Sequence, residues 1–129
     1  MNNLKVVLKI SFFYLLCVLV KLYLKKSITL INEELLILKS IRNFFISNLH
    51  FAFQNEEYLF LVYDYFPGGD LRYHINNKHN KRFNIEEIKF ILACVIIALI
   101  YLRQNNIIHR DIKPENLVFD SKGYLHLTD

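Results

Sequence analysis

Glycine and proline are scarce in this chain, which has three of the first and two of the second among its 129 residues. Their scarcity excludes collagen-like repeats and Gly/Ser-rich linkers. Cysteine is equally rare: Cys17 and Cys94 lie far apart in apolar runs, without the spacing of metal ligands or of a disulfide-stapled domain. We therefore expect buried thiols in a reducing, cytoplasmic compartment. The hydrophobic content of 53% excludes a disordered chain, and the length fits one domain.

Acidic residues are absent from the first 31 positions, which contain five lysines, whereas residues 32–129 hold eleven Lys and Arg against twelve Asp and Glu. The net charge of +4 therefore comes from the first quarter of the chain. The remainder has no basic stripe that could follow a phosphate backbone. Nucleic-acid binding is not expected.

An apolar run, ISFFYLLCVLV at residues 10–20, follows the basic start of the chain and is too short for a membrane helix, which needs roughly 20 residues. The basic and apolar order resembles a signal peptide, but no small-residue cleavage site follows. Three interpretations stay open for this region: strands of a small sheet, a signal-anchor-like helix, or translated sequence that does not belong to the domain. We do not expect membrane attachment.

The next segment predicts a helix and then a hairpin. Ser27 or Thr29 can cap a helix whose apolar residues repeat at helical spacing as far as Ile41. Two strand-like runs follow, LHFAF at 49–53 and YLFLVYD at 58–64, and a polar turn joins them. Their order predicts an antiparallel pair.

Two capped helices are predicted after the hairpin. The sequence Pro-Gly-Gly at 67–69 ends the second strand, and Asp70 can cap a short helix over residues 71–76. Asn84 begins a longer helix, and Glu87 three residues later completes a capping-box pattern. The apolar residues of this longer helix cover almost all of its faces, so we expect it to be buried rather than to lie on the surface.

Short strand-like runs complete the chain: IIH at 107–109, LVF at 117–119 and YLHLT at 124–128. The asparagine pair at 105–106 is expected to end the long helix. A turn at 120–123, Asp-Ser-Lys-Gly, joins the last two runs into a hairpin.

The sequence HRDIKPEN at 109–116 places an acid, a cation and a carboxamide in one loop: Asp111, Lys113 and Asn116. Asp129 follows the next hairpin, whose length could bring it back to Asn116. Carboxylate and amide oxygens suit a hard cation such as Mg²⁺, which also binds phosphate oxygens. A carboxylate could accept the proton of a hydroxyl nucleophile, and a lysine could neutralise charge on a phosphoryl group. These four residues suit phosphoryl transfer.

HRDIKPEN, followed by LTD at 127–129, resembles the catalytic loop and metal-binding motif of eukaryotic protein kinases. The lysine two residues after the aspartate is typical of serine/threonine kinases, and FPGGDLRYHI and FNIEEIKF resemble the AGC-type branch. The resemblance covers residues 27–129 and implies an α+β fold, part of the two-lobed kinase architecture: a truncated small-lobe sheet and the start of the helical large lobe. Residues 1–26 would be an atypical N-terminal segment.

The resemblance implies a role for each residue of the loop. Asp111 would be the catalytic base, and Lys113 would contact the γ-phosphate of ATP. Asn116 and Asp129 would bind Mg²⁺. We expect His109 to support the loop by packing and hydrogen bonding rather than to act as a base.

The resemblance also implies a set of nucleotide-binding residues. They are Tyr63 as gatekeeper, Asp64, Tyr65 and Phe66 as the hinge whose backbone contacts adenine, Asp70 at the ribose, and Val118 under the adenine ring. Glu34, preferred to its neighbour Glu33, would pair with the ATP-contacting lysine. Three of these residues have simpler alternatives, because Asp70 could be only a helix cap, Glu34 only a solvated helix acid and Tyr63 only a core aromatic.

The chain departs from the family pattern at several points. It contains no Gly-x-Gly-x-x-Gly sequence, and Lys21 lies only thirteen residues before Glu34, so its role as the ATP-contacting lysine stays open. We expect a serine/threonine kinase that uses ATP and Mg²⁺ on protein hydroxyls, present as a truncated domain. The alternative is a catalytically inactive, kinase-like interaction module. The family's later helices are missing, so exposed apolar surface predicts a partner that covers it.

Overall fold

The computed structural model describes residues 6–12, 15–21, 35–55, 58–77 and 82–129. The chain divides into two compact units. The first comprises the described residues up to Arg42 together with Asn48–Tyr65. The second comprises Asn43–Ser47 and Phe66–Asp129.

A four-stranded antiparallel sheet forms the first unit. Its strands are β1 (Val6–Phe12), β2 (Leu15–Lys21), β3 (Leu49–Gln54) and β4 (Tyr58–Asp64), in the order β1-β2-β4-β3. The predicted hairpin of β3 and β4 is confirmed. In the N-terminal region, β1 and β2 agree with the first of the three interpretations, strands of a small sheet.

The core of the first unit lies under the β3–β4 hairpin. Leu49, Leu59 and Leu61 are buried together. Leu59 and Leu61 are two residues apart on β4, so they point to the same face of the sheet. Residues 35–40 form helix α1, which packs Leu35 and Leu38 against this face. The caps predicted at Ser27 or Thr29 lie outside the described residues.

The second unit combines helices with a two-stranded sheet, which confirms the α+β class. Its elements are α2 (Leu71–Asn77), α3 (Ile85–Gln104), a 3₁₀ turn (Pro114–Asn116), β5 (Leu117–Phe119) and β6 (Leu125–Leu127). Strands β5 and β6 pair antiparallel, as predicted for the last hairpin. All three residues of β6 are buried, and α3 packs against this strand.

Helix α3 begins and ends at the predicted residues. The Asn84 side chain accepts a hydrogen bond from the Glu87 backbone N–H (2.9 Å), and the Glu87 carboxylate accepts one from the Asn84 N–H (2.8 Å). This is a complete capping box. At the other end, Asn106 adopts a left-handed backbone conformation with φ of 58°, which asparagine tolerates better than most residues.

The prediction that α3 is buried is wrong for most of its surface. The buried residues are Cys94, Ala98 and Leu102, which lie four apart on one stripe, and Cys94 is the buried free thiol expected from the sequence. The exposed large apolar residues of the helix are Ile85, Ile88, Phe90, Leu92, Ile96, Ile97, Leu99 and Ile100. The short sheet is too narrow to cover more than one side of a 20-residue helix. No helix in the described ranges is long and apolar enough to cross a membrane.

The strand predicted at residues 107–109 is also wrong. These residues have no regular structure. The N–H of Ile107 donates instead to the carbonyl oxygen of Leu102 (2.9 Å), which closes the end of α3. The apolar pair at 107–108 therefore follows the helix end without pairing to a strand.

Candidate active site

The loop between α3 and β5 gathers three of the predicted residues around one carboxylate. Oδ2 of Asp111 accepts hydrogen bonds from the Lys113 ammonium (2.5 Å) and from the Asn116 side-chain amide (3.0 Å). The same Asn116 amide nitrogen donates to the backbone carbonyl of Asp111 (2.9 Å). Asp111 and Lys113 are exposed, whereas Asn116 is buried. The loop thus presents an acid and a cation to solvent on a fixed amide support.

These contacts determine the charge of the loop. The hydrogen bond from Lys113, and then the one from Asn116, lower the pKa of Asp111. The Asp111 carboxylate in turn raises the pKa of Lys113, with smaller contributions from Asp129 and Glu115. Both groups are therefore charged at neutral pH, and Asp111 stays available as a hydrogen-bond and proton acceptor.

His109 ties the start of the loop to the end of the hairpin. Its Nδ1 accepts a hydrogen bond from the Asp111 backbone N–H (3.3 Å), and its Nε2 lies 3.2 Å from the carbonyl oxygen of Thr128. The tautomer that carries its proton on Nε2 and accepts at Nδ1 satisfies both contacts. Arg110, between His109 and Asp111, has φ of 65°, so the loop turns through a left-handed residue. These contacts fit a supporting role for His109.

The β5–β6 hairpin brings its two ends together, as its length suggested. The carbonyl oxygen of Asn116 accepts hydrogen bonds from the backbone N–H of Thr128 (2.9 Å) and from its hydroxyl (3.3 Å). Asp129, the residue after Thr128, therefore lies at the same end of the hairpin as Asn116, with φ of 75°. The side-chain amide nitrogen of Asn116 donates to Asp111, while the side-chain oxygen has no hydrogen bond among the described residues. An amide oxygen and a carboxylate are donors of the kind that fits Mg²⁺.

Two of the predicted nucleotide-binding residues are backbone neighbours. Asp70 and Val118 form an isolated antiparallel bridge, and the Phe119 N–H donates to the Gly69 carbonyl (2.9 Å). Oδ1 of Asp70 accepts the Tyr73 backbone N–H (2.7 Å) and so caps α2. The capping role is thus real, and it occupies one of the two carboxylate oxygens. The predicted contact with the ribose would therefore use the second carboxylate oxygen of Asp70, Oδ2.

The predicted hinge residues have their side chains engaged. In the first unit, the Asp64 carboxylate accepts hydrogen bonds from the Asn48 backbone N–H and side-chain amide (both 2.9 Å) and from His50 Nε2 (2.6 Å). In the second unit, the Phe66 ring stacks on the ring of His126. The implied contacts with adenine use the backbone of the hinge residues. The side-chain contacts therefore hold these residues without occupying the backbone groups that would bind adenine.

Three of the predicted residues near the nucleotide are described in part or not at all. Glu34 and its neighbour Glu33 lie outside the described residues, so the pairing of Glu34 with a lysine stays a prediction. Lys21 is the last residue of β2 and lies opposite Tyr58 of β4 in the strand register. The register gives its place in the sheet, and the role of its side chain stays open.

Comparison with known proteins identifies the family. The family model of the protein kinase domain matches residues 17–129. The chain belongs to the protein kinase family. It is 49% identical over 105 residues to Protein kinase 3 of Dictyostelium discoideum and 45% identical over 97 residues to human Serine/threonine-protein kinase 32C. It is 43% identical over 97 residues to Serine/threonine-protein kinase sgk-1 of Caenorhabditis elegans, and these relatives support the AGC-like branch.

The chain is short beside these relatives. The matched segments cover 81% of the chain against Protein kinase 3 and 75% against the other two proteins. They cover only 11% of Protein kinase 3 and 20% of each of the others. The similarity therefore places a partial kinase domain in this chain.

An ion pair that the sequence did not reveal connects α2 to the loop between α3 and β5. Nε of Arg72 donates to Oε1 of Glu115 (2.9 Å), and this contact lowers the pKa of Glu115. The partners are 43 residues apart and both are half-exposed. Since no local pattern relates residues at that separation, only the folded chain identifies the pair.

The Asp64 cluster predicts a pH dependence of stability. Burial raises the pKa of Asp64, but the hydrogen bonds from His50 and Asn48 outweigh it and the pKa is lowered. The ionised carboxylate therefore stabilises the fold above the unfolded pKa of about 3.9, and this contribution is lost as the pH falls through the lower folded value. In urea titrations from pH 2 to pH 6, Asp64→Asn should flatten the rise in the free energy of unfolding. An unchanged slope would contradict the assignment, and His50→Gln should flatten it only in part.

Proposed function

We propose that the chain carries the catalytic loop of a serine/threonine protein kinase that transfers a phosphoryl group from ATP to protein hydroxyls with Mg²⁺. The observation that supports this most is the cluster of Asp111, Lys113 and Asn116 beside the end of the hairpin that carries Asp129. It combines a proton acceptor, a cation and oxygen donors for a metal within one loop and its adjoining strand end.

In this proposal Asp111 acts on the nucleophile. Its ionised carboxylate orients the serine or threonine hydroxyl and accepts its proton as the oxygen bonds to the γ-phosphorus. The bond from that phosphorus to the bridging oxygen breaks, and ADP leaves with the electron pair. Lys113, held at 2.5 Å from Asp111, offsets negative charge on the transferring group.

Asn116 and Asp129 would hold the metal ion. Bound Mg²⁺ would supply charge neutralisation between the phosphate oxygens. The protein's part is to keep the oxygen of Asn116 and the carboxylate of Asp129 on adjoining strand ends. Asn116 is fixed at its nitrogen by Asp111 and at its carbonyl by Thr128, so its orientation does not depend on the ion.

The nucleotide would be bound by the residues that the family resemblance selects. The backbone of Asp64 and Phe66 would contact adenine, Val118 would pack on its ring, and Asp70 would contact the ribose. Glu34 would complete the set by pairing with the lysine that contacts ATP. The bridge between Asp70 and Val118 supports a common site for ribose and base.

The inactive interaction module is not favoured. Each of the relatives named above is called a kinase, and the loop of this chain retains the acid, the lysine and the asparagine. The substrate class that follows is a protein hydroxyl, and an ATP-dependent reaction fits the cytoplasmic location expected from the cysteines. The partner expected to cover the exposed face of α3 stays a prediction.

Metal dependence tests the proposal. We expect transfer of labelled γ-phosphate from ATP to serine- or threonine-containing peptides with Mg²⁺, and none when EDTA removes the ion. Asn116→Leu, which removes the donor oxygen at similar volume, should weaken Mg²⁺-dependent binding of a fluorescent ATP analogue by at least about tenfold. Asn77→Leu, at the exposed end of α2, is the matched control and should bind normally. Binding that is equal with and without Mg²⁺ would overturn the assignment of Asn116.

A further inference from the structure

One face of helix α3 is apolar and open to solvent. Five aliphatic residues on this face are between 37% and 62% exposed: Ile85, Ile88, Leu92, Ile96 and Leu99. At 3.6 residues per turn they form a single stripe, centred roughly 120° around the helix from the buried stripe of Cys94, Ala98 and Leu102. The exposed stripe therefore takes no part in the contact of α3 with β6.

The spacing of the exposed stripe is the same in both directions from its middle residue. Ile85 and Leu99 lie seven residues before and after Leu92. Ile88 and Ile96 lie four residues before and after it. Steps of three, four and seven residues are those of helices that pack side by side at a small angle.

This spacing makes the stripe complementary to a second copy of itself. When two α3 helices lie antiparallel with Leu92 opposite Leu92, Ile85 of each copy meets Leu99 of the other. In the same register, Ile88 of each copy meets Ile96 of the other. A twofold axis through Leu92 produces the match, because such an axis pairs residue i with j and j with i. All five residues then contact an aliphatic side chain.

The stripe is large enough for a specific contact. From Ile85 to Leu99 it spans roughly 21 Å along the helix axis, at 1.5 Å per residue. Its five side chains expose of the order of 500 Å² in each copy, so an antiparallel pair buries about 1,000 Å² in total. That area is the lower limit for a specific interface and is typical of weak, reversible association.

The charges of α3 favour the antiparallel orientation. Glu86 and Glu87 lie in its first turn, and Arg103 lies in its last turn. Two antiparallel copies bring the acidic turn of one helix toward the basic turn of the other at both ends of the contact, whereas two parallel copies bring like charges together. The helix dipoles are likewise aligned unfavourably in a parallel pair and favourably in an antiparallel one.

We propose that this face of α3 is a dimer interface, in which two copies of the chain pack their α3 helices antiparallel about a twofold axis at Leu92. The partner is a second copy rather than an unrelated protein or a lipid surface, because the stripe is its own complement in spacing and in the charges at its ends. Association stops at two copies, since an isologous contact leaves the face of neither copy open. The interface involves α3 alone and does not depend on the proposed kinase activity.

Analytical ultracentrifugation tests the association. We expect a monomer–dimer equilibrium with a dissociation constant of the order of 10 μM. Leu92→Glu places two carboxylates at the axis and should weaken the dimer at least about tenfold. Ile97→Glu is the matched control, because Ile97 is 43% exposed on the same helix but lies outside the stripe. It should dimerise like the unaltered chain.

Three outcomes of this experiment would overturn the proposal. The first is an unaltered chain that stays monomeric at about 100 μM, ten times the expected dissociation constant. The second is an equal weakening by Leu92→Glu and Ile97→Glu. The third is a monomer that binds phosphatidylcholine vesicles and loses this binding in Leu92→Glu, which would assign the face to lipid. Circular dichroism shows whether each variant is folded.

Cysteine cross-linking tests the register without placing a charge in the interface. Leu92→Cys should give a disulfide-linked dimer on mild oxidation, because the axis brings the two thiols together. In a mixture of Ile85→Cys and Leu99→Cys chains, the mixed disulfide should exceed both self-linked products, since the two copies of residue 85 lie roughly 20 Å apart in this register. The unaltered chain, with Cys17 and Cys94, gives the background. Preferential self-linking of Ile85→Cys would show a parallel contact and overturn the proposal, whether or not Leu92→Glu folds.

Discussion

Replacing Asp111 by asparagine is expected to lower kcat for phosphoryl transfer by about 10²–10⁴-fold, the contribution of a positioned general base. The amide has nearly the shape of the carboxylate and keeps one oxygen for the hydrogen bonds from Lys113 and Asn116. It cannot take up the hydroxyl proton. The loss should therefore fall on kcat, with little change in the dissociation constant of the nucleotide.

The matched control for this variant is Glu86→Gln. Glu86 is a carboxylate in the first turn of α3, paired with Lys89 and well exposed. An exposed pair of this kind contributes at most about 1 kcal/mol, so the control should retain the activity of the unaltered chain. If Asp111→Asn retained full kcat, Asp111 would not be the base. An equal loss in Glu86→Gln would show a general effect of the lost charge instead.

The pH profile gives Asp111 a second signature. Because Lys113 and Asn116 lower its pKa, the Asp111 carboxylate stays ionised to a pH below the ordinary range of aspartate. Activity should therefore fall on the acid side only below that range. Lys113→Met removes the largest cause of the shift and should move this acid limb upward. A limb that stays in place would mean that another group controls it.

The sequence predicted correctly those elements that depend on interactions between residues close together in the chain. The capping box at Asn84 and Glu87 joins residues three apart, and both of its hydrogen bonds are present. The β3–β4 hairpin follows from two short apolar runs and the turn between them. The meeting of Asn116 with the end of its hairpin follows from the length of the hairpin, which a count along the sequence supplies. In each case the interacting residues can be identified without knowing the rest of the fold.

The wrong or missing predictions concern contacts between distant residues. The apolar faces of α3 suggested burial, but burial requires a covering element, and the short β5–β6 sheet covers one stripe. Residues 107–109 have strand-like composition without a strand beside them. The hydrogen bond from His126 to Phe44 spans 82 residues, so nothing near His126 in the sequence indicates its partner.

Gly68, which the sequence analysis interpreted only as part of a strand end, makes a close backbone contact beside the candidate nucleotide-binding residues Asp70 and Val118. The sequence assigned Pro-Gly-Gly at 67–69 to the end of a strand. In the structure the Gly68 N–H donates to the Phe119 carbonyl (2.8 Å), next to the bridge between Asp70 and Val118. A Cβ atom on Gly68 would lie 2.6 Å from the carbonyl oxygen of Phe119 and 2.7 Å from its Cβ. Neither atom can move without moving β5.

We therefore expect Gly68→Ala to destabilise the chain by about 3 kcal/mol, the upper range for overpacking against backbone. It should also weaken nucleotide binding, because the clash separates the segment that carries Asp70 from the strand that carries Val118. Urea unfolding measures the first effect and ATP-analogue titration the second.

Gly123→Ala is the matched control for the clash. Gly123 has φ of 87°, and a Cβ there would meet nothing within 4 Å. In that variant only the left-handed backbone of the new alanine lowers the free energy of unfolding, by about 1–2 kcal/mol. The substituted residue lies in the turn at 120–123 and not at the bridge between Asp70 and Val118. It should lose some stability while the nucleotide affinity of the folded protein stays unchanged. If Gly68→Ala were no less stable than Gly123→Ala and bound nucleotide normally, the close approach of Gly68 to Phe119 would not hold the site together.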